Sequence, residues 1–400
     1  MKKEFIHKIK KLLTNIKFLI IVGLLVLLTV LFYANIGFGG GTKISYEKNN
    51  NTIPVLLNST PNLVKGNTEP SPILVPLDKV AYDLKLKELA NIKVVVPKVA
   101  TTTVINPKTK IKTVVPVKPI VPVVKKPDLW PVKAVYPNSG ALLPFNRIVA
   151  YYGNFYSKKM GALGAYPEDE MLQKLSAEVA KWNLADPNTP AIPALHYIAV
   201  TAQGSPGGDG KYRLRMPSSQ IDEAIRMAAK INAIVFLDVQ VGFSNLQTEI
   251  PLLEKYLKMP QVHLGIDPEF SMKTGVRPGK VVGTLDANDI NFAADYLAKI
   301  VKENNLSPKI LVVHRYTQKM VTNYNKITPL PEVQVVMDMD GWGVSAKKIN
   351  TYQQFIYKEP VQFTGFKLFY KNDILTPNTA MMTPTEVMKL SPEPSYIQYQ

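Results

Sequence analysis

The sequence of 400 residues contains no cysteine. Disulfide bonds, thiolate nucleophiles, cysteine-linked lipid anchors and cysteine-based metal sites are therefore excluded. Histidine is also scarce, because the chain holds only His7, His196, His263 and His314. No HExxH pattern is present, and so few histidines argue against a multi-histidine zinc centre. We accordingly predict no cofactor and no metal-ligand set.

Acidic residues are outnumbered, since 31 Asp and Glu stand against 48 Lys and Arg, which gives a net charge of +17. The surplus is concentrated in two segments. Residues 1–17 hold six Lys and one Glu, and residues 85–133 hold eleven Lys with one Glu and one Asp. Residues 134–400 carry a net charge of only +3. A basic groove is therefore not expected in this large part, and we predict no nucleic-acid partner.

A long apolar run lies near the N-terminus. Residues 17–36, KFLIIVGLLVLLTVLFYANI, have about membrane-spanning length and follow a basic leader, residues 1–16. The positive-inside rule places that leader in the cytoplasm and the bulk of the chain outside the cell membrane. We predict a single-pass transmembrane helix. A signal peptide cleaved near residues 39–41 is the alternative, and it too exports the rest of the chain.

The next segment, residues 37–145, is interpreted as an extracytoplasmic linker. Residues 97–131 contain seven prolines and many β-branched residues. Proline fixes φ and removes a backbone donor, which favours an extended, polyproline-like stalk over a packed sheet. The lysines of this stalk either keep it soluble or bind anionic polymers or lipid headgroups. Residues 82–96 have the pattern of a short helix and a strand, to which we assign no domain.

From residue 146 the pattern changes to short apolar runs that alternate with helical segments. Eight runs have the character of strands. They are residues 148–153, 194–202, 233–241, 262–267, 309–316, 333–340, 363–370 and 396–400. Helical patterns cover residues 167–182, 219–230, 246–258 and 286–304, and weaker ones cover 317–326, 345–357 and 384–390.

This alternation predicts an α/β domain over residues 146–400, and eight strands are the number that closes a (β/α)₈ TIM barrel. The last strand falls at the end of the sequence, so the eighth helix is expected to be missing. A doubly wound open sheet is the alternative fold. It has little support, because no GxGxxG pattern follows the first strand.

Alternate residues of a strand face opposite sides, which separates an aliphatic face from a polar one. In the fourth predicted strand Val262, Leu264 and Ile266 share the face expected toward the helices. The opposite, inward face ends in carboxylates on three strands. These are Asp238, then Asp267 and Glu269, then Asp338 and Asp340. All five lie at C-terminal strand ends, where barrel active sites are built.

Several like charges around one axis should raise at least one pKa, so that a protonated acid stands beside an ionised carboxylate. Cleavage of a glycosidic bond needs that pairing. We predict Glu269, Asp267, Asp238 and Asp338 as catalytic residues. Aromatic, amide and charged side chains at the same strand ends suit a sugar. The predicted substrate-binding residues are Tyr151, Tyr152, Gln240, His314, Arg315, Asp340, Trp342, Tyr370 and Gln400.

Several of these residues also have a structural interpretation. Asp267, Pro268 and Glu269 form a typical strand-ending turn, because Asp before Pro favours turn initiation. His196 and His263 lie early in their strands and are expected to pack in the core. Asp340 before Gly341 is also compatible with a turn.

The D-P-E tripeptide at the fourth strand resembles the D-x-E motif of muramidase-type lysozyme barrels, which cut peptidoglycan. The resemblance implies Glu269 as proton donor, Asp267 as its partner and Asp338 as a positioning group. Those lysozymes carry an Asp on the first strand, where this chain has AYYGN. The tract YYGNFYSKKMGALG is similar to the start of barrels in exported bacterial proteins of unassigned activity. The first similarity implies a glycoside-hydrolase-like TIM barrel, and the second implies an exported bacterial protein, which residues 17–36 are expected to anchor in the membrane.

Three functions are compatible with the sequence. The first is a membrane-tethered glycoside hydrolase that acts on peptidoglycan or another extracellular polysaccharide. The second is a non-catalytic carbohydrate-binding barrel that uses the same aromatic and carboxylate groups. The third is a Mg²⁺- or Ca²⁺-dependent enzyme that takes Asp238, Asp267, Glu269 and Asp338 as ligands, with Lys367 or His314 as base.

Overall fold

The computed structural model describes residues 76–91, 101–105, 112–116 and 129–400. Every described residue belongs to one compact unit of the chain, within Pro72–Gln400. The predicted leader, transmembrane helix and much of the linker therefore lie outside the described residues. None of the helices described is both long and apolar enough to cross a membrane.

Three elements precede the barrel. Helix α1 spans Lys79–Ala90, and strands β1 (Thr101–Ile105) and β2 (Lys112–Pro116) form an antiparallel pair. The expectation of polyproline-like chain is wrong for these two strands. Thr, Val and Ile dominate both, and the one proline in the pair, Pro116, lies at its end, where a missing backbone donor interrupts the ladder least.

Eight parallel strands close into a barrel, because the last of them pairs with the first and the first with the second. This confirms the predicted (β/α)₈ fold and excludes the open sheet. The barrel strands are β3 (Arg147–Gly153), β4 (Ala191–Ala202), β6 (Ile234–Val239), β7 (Val262–Ile266), β9 (Lys309–Arg315), β11 (Val333–Met339), β12 (Phe363–Leu368) and β13 (Tyr396–Tyr399). Short β5 (Arg213–Arg215) pairs antiparallel with β4, and β8 (Leu285–Asp286) pairs with β10 (Val321–Thr322).

Helices surround the barrel between most pairs of strands. They are α2 (Ala162–Ala165), α3 (Glu168–Ala185), α4 (Ser218–Ala229), α5 (Leu246–Glu249), α6 (Glu254–Leu257), α7 (Ala287–Asn304), α8 (Ser345–Tyr352) and α9 (Pro384–Val387). The predicted helix 317–326 is wrong, since that segment holds β10 between two 3₁₀ turns. Its β-branched residues and the left-handed Asn323 do not support a continuous helix.

Helix α7 shows how the local sequence sets a boundary. Asp286 accepts from the backbone of Asn288, and the Asp289 carboxylate accepts from the Asp286 backbone, so the first turn is capped as its sequence predicts. The helix ends at Asn305 in the left-handed conformation.

The predicted alternation of faces is confirmed. Val262, Leu264 and Ile266 are buried in the layer between barrel and helices, whereas Phe236 and Val336 pack inside the barrel. Apolar residues dominate the amino-terminal half of the interior, and the inward carboxylates lie in the carboxyl half. The side chains that could take part in a reaction therefore lie at the carboxyl end of the barrel.

Helix α1 covers the amino-terminal end of the barrel. Its Tyr82 is 3% exposed and packs with Leu143, Phe363 and Tyr396 in the inner core. The end of the helix is tied to the chain before β13, where the Glu393 amide donates to the carbonyl of Leu89. Residues 79–90, left without a domain in the sequence analysis, are therefore part of the same packed unit as the barrel.

Candidate functional site

A cavity of about 700 Å³ lies at the carboxyl ends of the barrel strands. Seven residues that the sequence predicts for the site line it: Tyr152, Gln240, Asp267, Glu269, Asp340, Trp342 and Gln400. Lys367, Tyr316 and Phe369 lie beside them. A cavity of this size suits one or a few sugar rings, and its walls mix aromatic, amide and charged groups.

Glu269 occupies a 3₁₀ turn, Pro268–Phe270, directly after β7. Asp267 caps this turn, because its Oδ1 accepts from the backbone N–H of Glu269 at 3.0 Å. Burial, and then the negative charge of Asp340, raise the pKa of the Glu269 carboxyl. The Tyr316 hydroxyl acts in the opposite direction as a hydrogen-bond donor to it. Glu269 is therefore biased toward the protonated form while it lines the cavity.

Asp340 follows β11 and faces the same cavity. Burial alone would raise its pKa, but Lys367 and His314 together hold that pKa below its ordinary value. The Lys367 Nζ lies 3.0 Å from Oδ1 of Asp340, and the His314 Nδ1 lies 3.3 Å from Oδ2. Asp340 is therefore ionised beside a carboxyl that is biased to keep its proton.

Asp267 is 3% exposed, and burial raises its pKa well above the ordinary value. Its Oδ2 accepts from Gln240 Nε2 at 3.3 Å, and its Oδ1 is taken by the Glu269 amide. Asp267 therefore holds the turn that carries Glu269. Gln240 in turn accepts from the Ala202 amide, which fixes the orientation of its side-chain amide.

A second layer of charged groups lies on the barrel axis, below the cavity. Asp238, Asp338, His196 and His314 are all fully buried. The His314 Nδ1 lies 3.2 Å from Oδ2 of Asp338, and its Nε2 lies 3.5 Å from Oδ1 of Asp238. Burial alone would lower the pKa of His314, but the carboxylates of Asp238, Asp338 and Asp340 raise it well above the ordinary value.

The pKa values of His196, Asp338 and Asp238 in this layer also depart from their ordinary values. Burial lowers the pKa of His196 to about 4. Burial raises the pKa of Asp338. Burial acts the same way on Asp238, but the facing imidazoles of His196 and His314 outweigh it and hold the Asp238 pKa far below the ordinary value. The layer thus contains one firmly ionised carboxylate between two imidazoles.

Tyr152 connects the two layers. Its hydroxyl donates to Asp238 Oδ2 at 3.0 Å and accepts from Gln240 Nε2 at 3.1 Å. The Lys367 Nζ lies 3.9 Å from the centroid of its ring, which is a cation–π contact. The floor of the cavity is therefore a continuous polar network.

Four predicted substrate-binding residues do not line this cavity, and one of them, His314, belongs to the buried layer below it. Tyr151 and Tyr370 bond each other through their hydroxyls at 2.9 Å on the helix side of the barrel. Arg315 donates to backbone carbonyls, such as those of Gln318 and Phe355. The reason is the period of the strand: Tyr152 and His314 point inward, so their neighbours Tyr151 and Arg315 must point outward.

Two further groups were missed or undervalued by sequence reasoning. Lys367 lies inward on β12, and strict alternation with the outward Phe366 and Leu368 was a signal that could have placed it. His196 was assigned to core packing, yet it contacts Asp238 at 3.4 Å. Among the described residues, His196, Asp238 and His314 bring three metal-ligand atoms within 4.8 Å of one another.

Comparison with known proteins gives little beyond this geometry. No family model matches the chain, and no curated protein matches it. Among solved structures, it is similar to a ruminal GH26 endo-β-1,4-mannanase at 12% identity and a TM-score of 0.31. The similarity covers 63% of this chain and 58% of the mannanase chain.

Proposed function

We propose that this barrel is a glycoside hydrolase in which Glu269 is the proton donor and Asp340 the ionised carboxylate. One observation carries the proposal: two carboxyl groups line one cavity while their surroundings shift their pKa values in opposite directions. Such a pair matches the division of labour that glycosidic cleavage requires. Asp267, which the D-x-E resemblance assigned as partner, is here a positioning residue for Glu269.

In the proposed reaction Glu269 passes its proton to the glycosidic oxygen as the bond to the anomeric carbon breaks. Asp340 either attacks that carbon or takes a proton from the attacking water. Water supplies the hydroxyl of the new reducing end, and both carboxyl groups regain their starting forms. Lys367 holds Asp340 in its charged form, and Gln400 offers its side-chain carbonyl to sugar hydroxyls.

The proposed substrate is peptidoglycan or another extracellular polysaccharide, and the proposed location is the outer face of the cell membrane. Residues 17–36 and the basic leader support this location through their sequence alone. Trp342 supports a sugar ligand, because the residue is 48% exposed at the cavity rim, where the ring face not covered by Lys347 can stack on a sugar.

The test uses the full-length chain and measures new reducing ends from peptidoglycan sacculi, β-mannan and chitin. We expect turnover of at least one of them. Glu269→Gln and Asp340→Asn should each lower kcat/KM by about 10²–10⁴-fold. Glu303→Gln, on the exposed face of α7, is the matched control and should leave the rate unchanged.

Two outcomes would reject the proposal. The first is wild-type protein that binds a glycan without cleaving any of the three, which would favour the carbohydrate-binding alternative. The second is turnover that survives Glu269→Gln, which would place the proton donor elsewhere.

A further inference from the structure

We propose that His196, Asp238 and His314 form a binding site for a divalent transition-metal ion of the zinc class, on the barrel axis beneath the cavity. The three residues come from adjacent strands β4 and β6 and from β9, which β7 separates from β6. The proposal does not depend on the glycosidase assignment.

The spacing of the three donor atoms fits an ion. His196 Nε2 lies 3.4 Å from Asp238 Oδ1, and His314 Nε2 lies 3.5 Å from the same oxygen. Both distances exceed the usual range of a hydrogen bond from nitrogen to oxygen. Two ligand atoms bound tetrahedrally to zinc are roughly 3.3–3.6 Å apart. Each nitrogen is therefore too far from this oxygen for a usual hydrogen bond, and all three atoms lie within 4.8 Å of one another, close enough to share a metal.

The other polar atom of each ligand residue faces an oxygen, through a hydrogen bond for His196 and Asp238 and through an ion-pair contact for His314. His196 Nδ1 bonds the Tyr396 hydroxyl at 2.6 Å, His314 Nδ1 faces Oδ2 of Asp338 at 3.2 Å, and Asp238 Oδ2 accepts from Tyr152 at 3.0 Å. Metal-ligating histidines usually donate their second ring N–H to a carboxylate or another oxygen in this way. The arrangement leaves both Nε2 atoms and Oδ1 free to converge.

Those converging atoms have no other partner in the described part of the chain. His196 Nε2, His314 Nε2 and Asp238 Oδ1 are buried without a hydrogen bond there. Unpartnered buried polar atoms are costly, so a group between them would remove a penalty. Gly265 leaves room beside the cluster, because a Cβ at that position would lie 2.4 Å from His196 Nε2 and 2.6 Å from Asp238 Oδ1.

The donor set selects the class of ion. Two imidazole nitrogens and one carboxylate oxygen suit zinc and its neighbours, whereas Mg²⁺ and Ca²⁺ prefer oxygen ligands. The site therefore differs from the all-carboxylate site considered from the sequence. Because all three ligands are fully buried, the ion would link strands of the barrel and fix His314 beneath Asp340.

The test measures metal binding by the full-length chain without any sugar substrate. The protein is stripped with a chelator, dialysed and titrated with Co²⁺, and the visible absorption bands of tetrahedral cobalt are recorded. Zinc should then displace the cobalt, and elemental analysis should give about one ion per chain. His196→Gln and His314→Gln should abolish binding, and Tyr396→Phe should weaken it by about 10–100-fold.

His263→Gln is the matched control, because His263 is also a buried barrel histidine but lies outside the cluster. It should bind Co²⁺ as the wild type does. The proposal is overturned if stripped wild type takes up neither Co²⁺ nor Zn²⁺, if the two cluster variants bind normally, or if His263→Gln loses binding equally.

A second measurement, thermal unfolding of the wild type, needs no variant, so it tests the metal site even if the variants do not fold. Zinc, but not Mg²⁺, should raise Tm of the stripped wild type. If zinc leaves the Tm of the stripped wild type unchanged, the ion does not bind the folded protein, and the metal site is contradicted. None of these outcomes bears on whether Glu269 cleaves a glycan.

Discussion

Two layers of carboxylates on the same barrel axis have different surroundings. Asp340 lines the cavity, whereas Asp338, two residues earlier on the same face of β11, is fully buried. Two residues of strand correspond to about 6.6 Å of rise. That distance separates a carboxylate that can meet a substrate from one enclosed by protein. Whether an inward carboxylate near the barrel mouth can react with a substrate therefore depends on how deep it lies along the barrel axis.

The surroundings of the lower layer explain how its charges are tolerated. In register, Asp238 lies beside Gly265, and Asp338 lies between His314 and Gly365. The two glycines make room for the carboxylates, and the imidazole supplies the opposing charge. The upper layer instead opposes Asp340 with Lys367 and leaves Glu269 at the cavity wall. The lower layer should therefore govern stability and the upper layer activity.

The largest expected effect is on stability, from Asp238→Ala. This change removes the one carboxylate that faces both imidazoles, and leaves His314 with acidic partners only at its Nδ1, from Asp338 and Asp340. We expect the free energy of unfolding to fall by about 3–5 kcal/mol, measured by chemical denaturation. The exposed Asp169→Asn is the control and should change it by less than about 0.5 kcal/mol. A small effect of Asp238→Ala would remove the distinction between the layers.

The next largest effect is on kcat/KM, and it distinguishes the role of Asp267 from that of Glu269. Asp267→Asn should lower kcat/KM by about 10–100-fold, because it sets an amide N–H against the Gln240 Nε2 that now donates to Oδ2, and so disturbs the support of the turn that positions Glu269. Glu269→Gln should cost about 10²–10⁴-fold, because it removes the proton itself. The measurement is steady-state kinetics on the polysaccharide that the wild type cleaves. If Asp267→Asn proved the more damaging, Asp267 would be the reacting group, as the lysozyme resemblance implied.

A third prediction concerns pH. The proton donor must be protonated, so kcat/KM should fall as pH rises through the raised pKa of Glu269. The Tyr316 hydroxyl stabilises the Glu269 carboxylate and so lowers that pKa. Tyr316→Phe removes the donor, raises the pKa and should move the alkaline limb of the profile to higher pH. A limb that stays in place or moves to lower pH would show that another group carries the proton.

Much of the fold was readable from the sequence because the barrel repeats one simple pattern. Strands such as β7 alternate aliphatic and polar residues, and that period fixed both the number of strands and the inward position of Asp267. The helix predicted at 317–326 was wrong, because ten residues with a weak pattern do not outweigh β-branched residues and a left-handed Asn323.

The site was harder to predict, because depth and pairing depend on contacts between strands. Alternation predicts that Asp238 and Asp340 both face the barrel interior. It does not reveal that Asp238 is fully buried whereas Asp340 lines the cavity. The partnership of His196 with Asp238 joins residues 42 positions apart in sequence, and only the barrel register brings them together. Tyr151 was misplaced for a simpler reason, since neighbouring residues of one strand cannot both face inward.

The smallest expected effect lies at the rim, where Trp342 contacts solvent. The residue is 48% exposed, with the Lys347 Nζ 4.6 Å from the ring, so its removal should change the free energy of unfolding by less than about 0.5 kcal/mol. Trp342→Ala should instead raise KM several-fold, in line with the roughly 0.5–1.5 kcal/mol expected for aromatic stacking. Trp342→Phe keeps a stacking face and should retain most of the affinity. Calorimetric titration with an oligosaccharide would measure both variants, and equal affinity of Trp342→Ala and wild type would place the sugar deeper, against the walls formed by Tyr316 and Phe369.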